Sequence, residues 1–353
     1  MTQVATLPEP LADVAPPRGQ HGAAAWALWL ARRIGLAVLT LWLVSVVVFV
    51  ATTALGDPVR AILGRDFNAN KSRVAQLTAQ LNLDEPLPVR YLHWLGGLFQ
   101  GDMGTSLANQ QPVSEQIGPT VLNTLVLVLL SALVMIPVAF GIAMISANYR
   151  RRRGDTIIQT VLLGLAGLPE FVIGILLIAL FSTTVFHWLP AVTLTPTGGH
   201  PWDVPKTMIL PVATLVLAVA PYVSRIVRAT LLEVLDSDYV ELARLKGIPE
   251  TVVMRKHALL NAVVPGIQVL ALQLAWLSGG VVIVETLFNY PGIGFQLVDS
   301  VKNHDVPMVQ ALSMIIAAIY VGVNLLADLL SILLTPRART AISGLVPRRN
   351  PRP

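Results

Sequence analysis

The stretch IGLAVLTLWLVSVVVFVATTAL, residues 34–55, decides the class of fold. It carries no charged side chain. As a helix it reaches about 33 Å at 1.5 Å per residue, enough to cross a hydrocarbon core of about 30 Å. Arg32-Arg33 precedes it and Gly56-Asp57-Pro58 follows it. A cleaved leader needs a short apolar core near the start of the chain and a small-residue cleavage site behind it. This run starts later and is long enough to span, so it reads as an uncleaved first helix.

Five more stretches of this kind follow. The expected spans are Val121–Ser146, then Ile157–Phe186 (interrupted by Pro169 and Glu170), Thr207–Ser224 with a possible extension to Arg228, Ala258–Val284 and Pro307–Leu334. Spans two to five each contain proline, which neighbouring helices in a bundle tolerate. Composition agrees: 54% of the 353 residues are hydrophobic and 13% are charged, against about a quarter charged in a soluble domain. The chain has no cysteine, which excludes a disulfide framework and a thiolate metal site. The fold class expected is therefore an all-α integral membrane protein with six transmembrane helices.

Charge placement orients it. Arg32-Arg33, Arg150 to Arg153, and Arg337 with Arg339 all border apolar runs, while the connections after spans three and five carry one lysine each, Lys206 and Lys302. Arginine and lysine gather in short cytoplasmic loops, so a multi-pass protein of the plasma (inner) membrane with cytoplasmic N- and C-termini is expected. The net charge of +5 thus reads as membrane orientation and not as a nucleic-acid face, which needs its basic residues on a soluble surface. The divisions expected are a disordered cytoplasmic tail (1–31), the first helix with a long external loop (32–120), a core (121–336) holding a cytoplasmic loop at 225–257, and a basic tail (337–353).

Catalytic signatures are missing. Nothing matches the G-x-x-x-x-G-K-[ST] phosphate loop, H-E-x-x-H or the G-x-S-x-G elbow, so neither ATP hydrolysis nor another enzyme activity is expected. His187 and His200 share one external loop, a weak basis for metal. No catalytic residue, metal or cofactor is assigned.

The segment Ser237-Asp238-Tyr239-Val240-Glu241-Leu242-Ala243-Arg244-Leu245-Lys246-Gly247 reads as a bounded helix. Asp238 with Glu241 forms a capping-box pattern, and Gly247 suits a left-handed helix end. Pro249 fits the first turn of a second helix running to His257, and Ala243 leaves room for close approach by another protein. Two short helices at a fixed angle make a knob on the inner face; the alternative is a hairpin lying on lipid.

This segment resembles the "EAA" loop of ABC-type import permeases. Glu241-Leu242-Ala243 stands where Glu-Ala-Ala is usual, and Gly247 follows after three residues. His257-Ala258-Leu259-Leu260 replaces the usual Ile-x-Leu-Pro. Arg255 to Ala262 with Pro265 resembles the variant in dipeptide, oligopeptide and nickel permeases. Gly56-Asp57-Pro58, Leu83 to Pro88, Gly101 to Gly104, Val284 to Gly294, Asp328-Leu329-Leu330 and Pro336-Arg337 agree, in order, with the first (B-type) permease subunit of those systems. The resemblance implies a type I importer architecture with cytoplasmic coupling helices. It also implies a second homologous permease, two ATPase subunits that bind the ATP, and an extracytoplasmic solute-binding protein. Residues Asp238, Tyr239, Glu241, Ala243, Arg244, Gly247, Pro249 and His257 would then form the ATPase-coupling surface. Peptides are the cargo it implies, with nickel, glutathione or another small solute as alternatives. A secondary transporter, which would need repeated broken-helix halves, and an intramembrane enzyme are the rivals.

Four polar residues fall in or beside the spans. A carboxylate at a helix centre costs about 2.5–3.5 kcal/mol on insertion scales, so Glu170 must face protein or water. Two roles are open to it: lining the solute path, or bonding backbone groups freed at Pro169. Asn324 and Asp328 share one face of span six and suit either hydrogen bonding to a neighbouring helix or, for Asn324, the path. Glu285, at the outer end of span five, reads as interfacial or structural. The pair Gly279-Gly280 would let two helices approach closely.

Overall fold

The computed structural model describes residues 21–54, 71–80, 83–196, 198–254 and 280–334, with Val59 and four single positions between 259 and 273. Its elements are helices, and no strand occurs among the described residues. They are α1 His21–Ala54, α2 Lys71–Gln80, α3 Leu87–Phe99, α4 Val113–Asn148, α5 Arg153–Ala166 and α6 Glu170–Ile178. Next come α7 Ile209–Leu235, α8 Asp238–Leu245, the single turn α9 Glu250–Val252, a helical stretch at 280–287, α10 Ile293–Lys302 and α11 Val306–Leu334.

Among the described residues, four helices are long and apolar enough to cross a membrane: α1 from Trp26, α4, α7 with the turn before it, and α11. The expected third span is not one helix. Its halves, Arg153–Ala166 and Glu170–Thr183, are bent by 103°. Pro169 starts the second half and removes a backbone donor at the break. The expected fifth span, Ala258–Val284, lies mostly outside the described residues, as does Gly279.

Buried Leu127, Met135, Ala139, Ala143 and Ala147 of α4 pack against Leu215, Val219, Val223, Val227 and Leu231 of α7. The four-residue spacing makes a ridge, and its alanines let the helices approach closely. A smaller cluster joins Val113 and Ile117 of α4 to Ile293 of α10 and to Met308, Ala311 and Leu312 of α11. The peripheral α1 lies antiparallel to α11, tied to it at both ends. Gln310 Nε2 donates to Thr52 Oγ1 at 2.8 Å, and Arg33 pairs with Asp328 at 2.7 Å.

Two boundaries move. The first helix begins at His21, so residues 21–31 extend it and do not belong to a disordered tail; residues 1–20 lie outside the described part. The fourth span continues to Leu235, because Val227, Leu231 and Leu235 keep its buried face going. The charged loop therefore starts at 236, not 225.

Candidate functional site

Three places carry most of the polar residues singled out above; Asn324 and Asp328 lie apart from them, along α1 and α11. The first is the hairpin of α8 and α9, at the arginine-rich end of the bundle. Asp238 is not the helix cap: Ser237 holds that position, in extended conformation, and no side chain bonds the free amides there. The Ser237 hydroxyl instead donates back to the Val234 carbonyl, so the expected capping box of Asp238 and Glu241 does not form. The other end forms as the sequence implied. Gly247 adopts φ +76°, Ile248 N donates to Ala243 O at 3.2 Å and Gly247 N to Arg244 O at 2.9 Å, which is a Schellman ending. Pro249 caps α9 in extended conformation, one position earlier than expected. His257 lies outside the described residues.

The helix has two faces. Val240 and Ala243 are buried against the bundle, so the small Ala243 permits close seating on α7 and offers no outward space. Tyr239, Leu242 and Leu245 point the other way, and Leu245 is 77% exposed. Glu241 is also exposed. Charge pairs fix the hairpin's shape. Arg244 grips Glu250 with two bonds of 3.0 and 2.6 Å and donates to Leu235 O at 3.2 Å. Arg150, after α4, grips Asp236 with bonds of 2.6 and 2.7 Å. The hydrogen bond from Arg244 holds the Glu250 carboxyl below its ordinary range, and that from Arg150 does the same for Asp236. Farther in, buried Asp155 of α5 accepts from Ser146 Oγ at 2.6 Å and from Arg228 of α7 at 3.1 and 2.5 Å. The sequence singled out neither Arg150–Asp236 nor Asp155–Arg228, whose partners lie 86 and 73 residues apart; nor did it mark Leu242 and Leu245 as outward-facing.

The second place is the elbow between α5 and α6, about 20 Å along α5 from Arg153. Glu170 is the first residue of α6 and is half-buried. The amides of Val172 and Ile173 already donate to Pro169 O at 3.0 and 3.3 Å. Among the described residues the Glu170 carboxylate accepts no hydrogen bond, from those amides or otherwise. Gly174, one turn on, faces Leu287: a Cβ there would lie 2.4 Å from its Cδ2. Asn324 and Asp328 are elsewhere, with Arg33 along the α1–α11 groove. Asp328 pairs with Arg33, and Asn324 donates to Tyr320 O of its own helix at 2.9 Å.

The third place is Glu285, which is wholly buried and not interfacial. Its carboxylate accepts from Thr124 Oγ1 at 2.5 Å, Gly294 N at 2.7 Å and Phe295 N at 3.2 Å. Ile293 N donates to Thr124 Oγ1 at 2.9 Å. Those three amides open α10 and have no partner within it, so Glu285 and Thr124 cap that helix from two other elements. Tyr290 OH donates to Asn123 O, and Asn123 Nδ2 to Pro291 O, each at 2.8 Å. The reversal at 288–292 is thereby fastened to α4.

The geometry provides a helical body, a rigid knob at one end and an interrupted helix within. The sequence that builds it matches known proteins. Residues 138–340 match the family described as binding-protein-dependent transport system inner membrane component, and residues 27–127 match that family's N-terminal domain. The chain is 38% identical over 313 residues to the glutathione transport system permease protein GsiC of Salmonella typhimurium, covering 88% of this chain and 98% of that one. With the protein of the same name from Escherichia coli K12 it shares 36% over 309 residues, 87% and 97% of the two chains. The chain belongs to the binding-protein-dependent transport system inner membrane component family and is a multi-pass permease subunit of an ATP-binding-cassette importer, with no enzyme activity of its own.

Proposed function

We propose that this permease imports short peptides, including glutathione-like ones, along a path it forms with a second permease of similar fold. The outward stripe Tyr239, Leu242 and Leu245, on a hairpin clamped by Arg244–Glu250 and Arg150–Asp236, supports docking into an ATPase subunit. Two ATPases, one beneath each permease, drive the cycle, and a solute-binding protein delivers cargo at the opposite face. The arginine-rich end is cytoplasmic, as the distribution of Arg32-Arg33 and Arg150 to Arg153 favours. With six spans in all, both termini then lie inside. Glu170 supports the path reading through its position: half-buried, at a helix start, and bonded to nothing among the described residues. There it would meet a cargo amino group, while Asp328 and Glu285 hold helices together.

The cargo is tested with the assembled complex in vesicles, by uptake of radiolabelled glutathione, a dipeptide and nickel ion. Glutathione or dipeptide uptake that requires ATP and the binding protein is expected, and Glu170→Gln should lower it at least several-fold with assembly intact. Uptake of nickel alone would overturn the peptide reading.

A further inference from the structure

The stretch after α1 is expected to be a long external loop, yet its helix α3 packs along the apolar part of α1. The two bonds that tie α1 to α11, Arg33–Asp328 and Thr52–Gln310, are about 28 Å apart along α1 at 1.5 Å per residue. That matches a hydrocarbon core of about 30 Å, and α1 carries no charge between them. Ser45 lies about 10 Å inside the Thr52 level by the same rise. Its hydroxyl is 2.8 Å from Tyr91 OH of α3. Phe49, between Ser45 and Thr52, packs on Tyr91 and Trp94 with ring centroids 5.4 and 5.7 Å away. So α3 lies against a part of α1 that is inside the hydrocarbon.

One face of α3, with Tyr91 and Trp94, meets α1. The adjoining face carries Leu92 and Phe99, seven residues apart and therefore aligned, and they are 64% and 85% exposed. Arg90 and His93 take the opposite side and line a separate cleft with Asp102 and Gln310. Between α1 and α3 runs an apolar groove of about 220 Å³, lined by Val46, Phe49, Val50, Leu87 and Tyr91 among others. Exposed Val47 and Val50 continue that apolar surface along α1.

We propose that α3 is an interfacial helix, its Leu92–Phe99 face sunk in the acyl region of the leaflet at the Thr52–Gln310 end, with a lipid acyl chain in the groove it forms with α1. The depth fits the 5–10 Å to which amphipathic interfacial helices settle. Lipid is the occupant because the exposed face is level with α1's own lipid-facing surface and continuous with it.

Single cysteines at Leu92, Phe99 and, as a control, Asn109 are introduced into the cysteine-free chain. Each is assembled with cysteine-free partner subunits in lipid nanodiscs and carries a nitroxide. At positions 92 and 99, oxygen should relax the label several-fold more than a water-soluble nickel chelate does, with the reverse at 109. Chelate-dominated collisions at 92 and 99 would mean an aqueous cap. Protection from both agents would mean cover by the second permease or the binding protein. Either result overturns the proposal. The unsubstituted complex supplies a second measurement: a phospholipid with a photoreactive acyl chain should crosslink to peptide 87–99, and no crosslink there also overturns it.

Discussion

The reversal at 288–292 and the hairpin at 246–249 both turn the chain between helices on the strength of glycine, but for opposite reasons. Gly292 has φ −103°, which any residue adopts; what forbids a side chain is space, since a Cβ would lie 2.1 Å from Glu285 Oε1. Gly247 has φ +76° and nothing within 4 Å of the place a Cβ would take. The first turn is closed around a buried carboxylate. The second is open, its shape set by backbone conformation and exposed charge pairs. A fixed anchor and the docking hairpin proposed above need these different constructions.

The largest effect should come from the closed turn. Glu285→Ala leaves the amides of Gly294 and Phe295 without an acceptor in a buried site, at about 1–3 kcal/mol each, so roughly 4 kcal/mol of stability should be lost. Gly292→Ala should also lower the yield of folded protein severely. Glu285→Gln, which keeps an acceptor, should lose much less, as thermal denaturation of the purified complex would register. Equal losses for Ala and Gln would show that charge, and not capping, holds the turn.

The open turn should respond to conformation and not to bulk. Gly247→Val places a β-branched residue at positive φ, a strain of about 1–3 kcal/mol. The spans should insert normally, but ATPase co-purification or solute-stimulated hydrolysis should fall several-fold. Gly247→Asn, of similar size but tolerant of this conformation, should retain most of both. If Val and Asn behave alike, the positive φ is not what matters at this position.

The smallest effect is that of pH. Asp236 and Glu250 are held below the ordinary carboxylate range by Arg150 and Arg244. Groups lowered in this way stabilise the fold above their unfolded values, about 4. That contribution disappears as pH falls through the lower folded values. ATPase retention should thus be flat from pH 8 to pH 5 and weaken only below about pH 4. Because both pairs are exposed, high salt should weaken them as well. A transition near pH 6 would assign the hairpin's integrity to other groups.

How much of this the sequence disclosed depends on how far apart the partners lie. Gly247 was legible because a helix ending is written in adjacent residues. The apolar spans were legible because burial in lipid needs only length and composition. Pro169 marked an interruption, but the 103° angle depends on what α6 packs against, such as Leu287 beside Gly174. Glu285 stayed open between an interfacial and a structural reading because its partner Thr124 stands 161 residues away. Ser237 displaced Asp238 as the cap because α7 runs on to Leu235 under the pull of its buried face. The carboxylate at the elbow was legible as a residue out of place, while its surroundings were not.

The bend between α5 and α6 also has a mechanical consequence. Two rods joined at 103° act as a crank: a push along the first is delivered to the second almost wholly as sideways travel. The Asp155–Arg228 pair couples α5 to α7, the helix that carries the hairpin. On the proposed function, a stroke entering at the hairpin would move the elbow along the axis of α5 and carry α6, with Glu170, broadside.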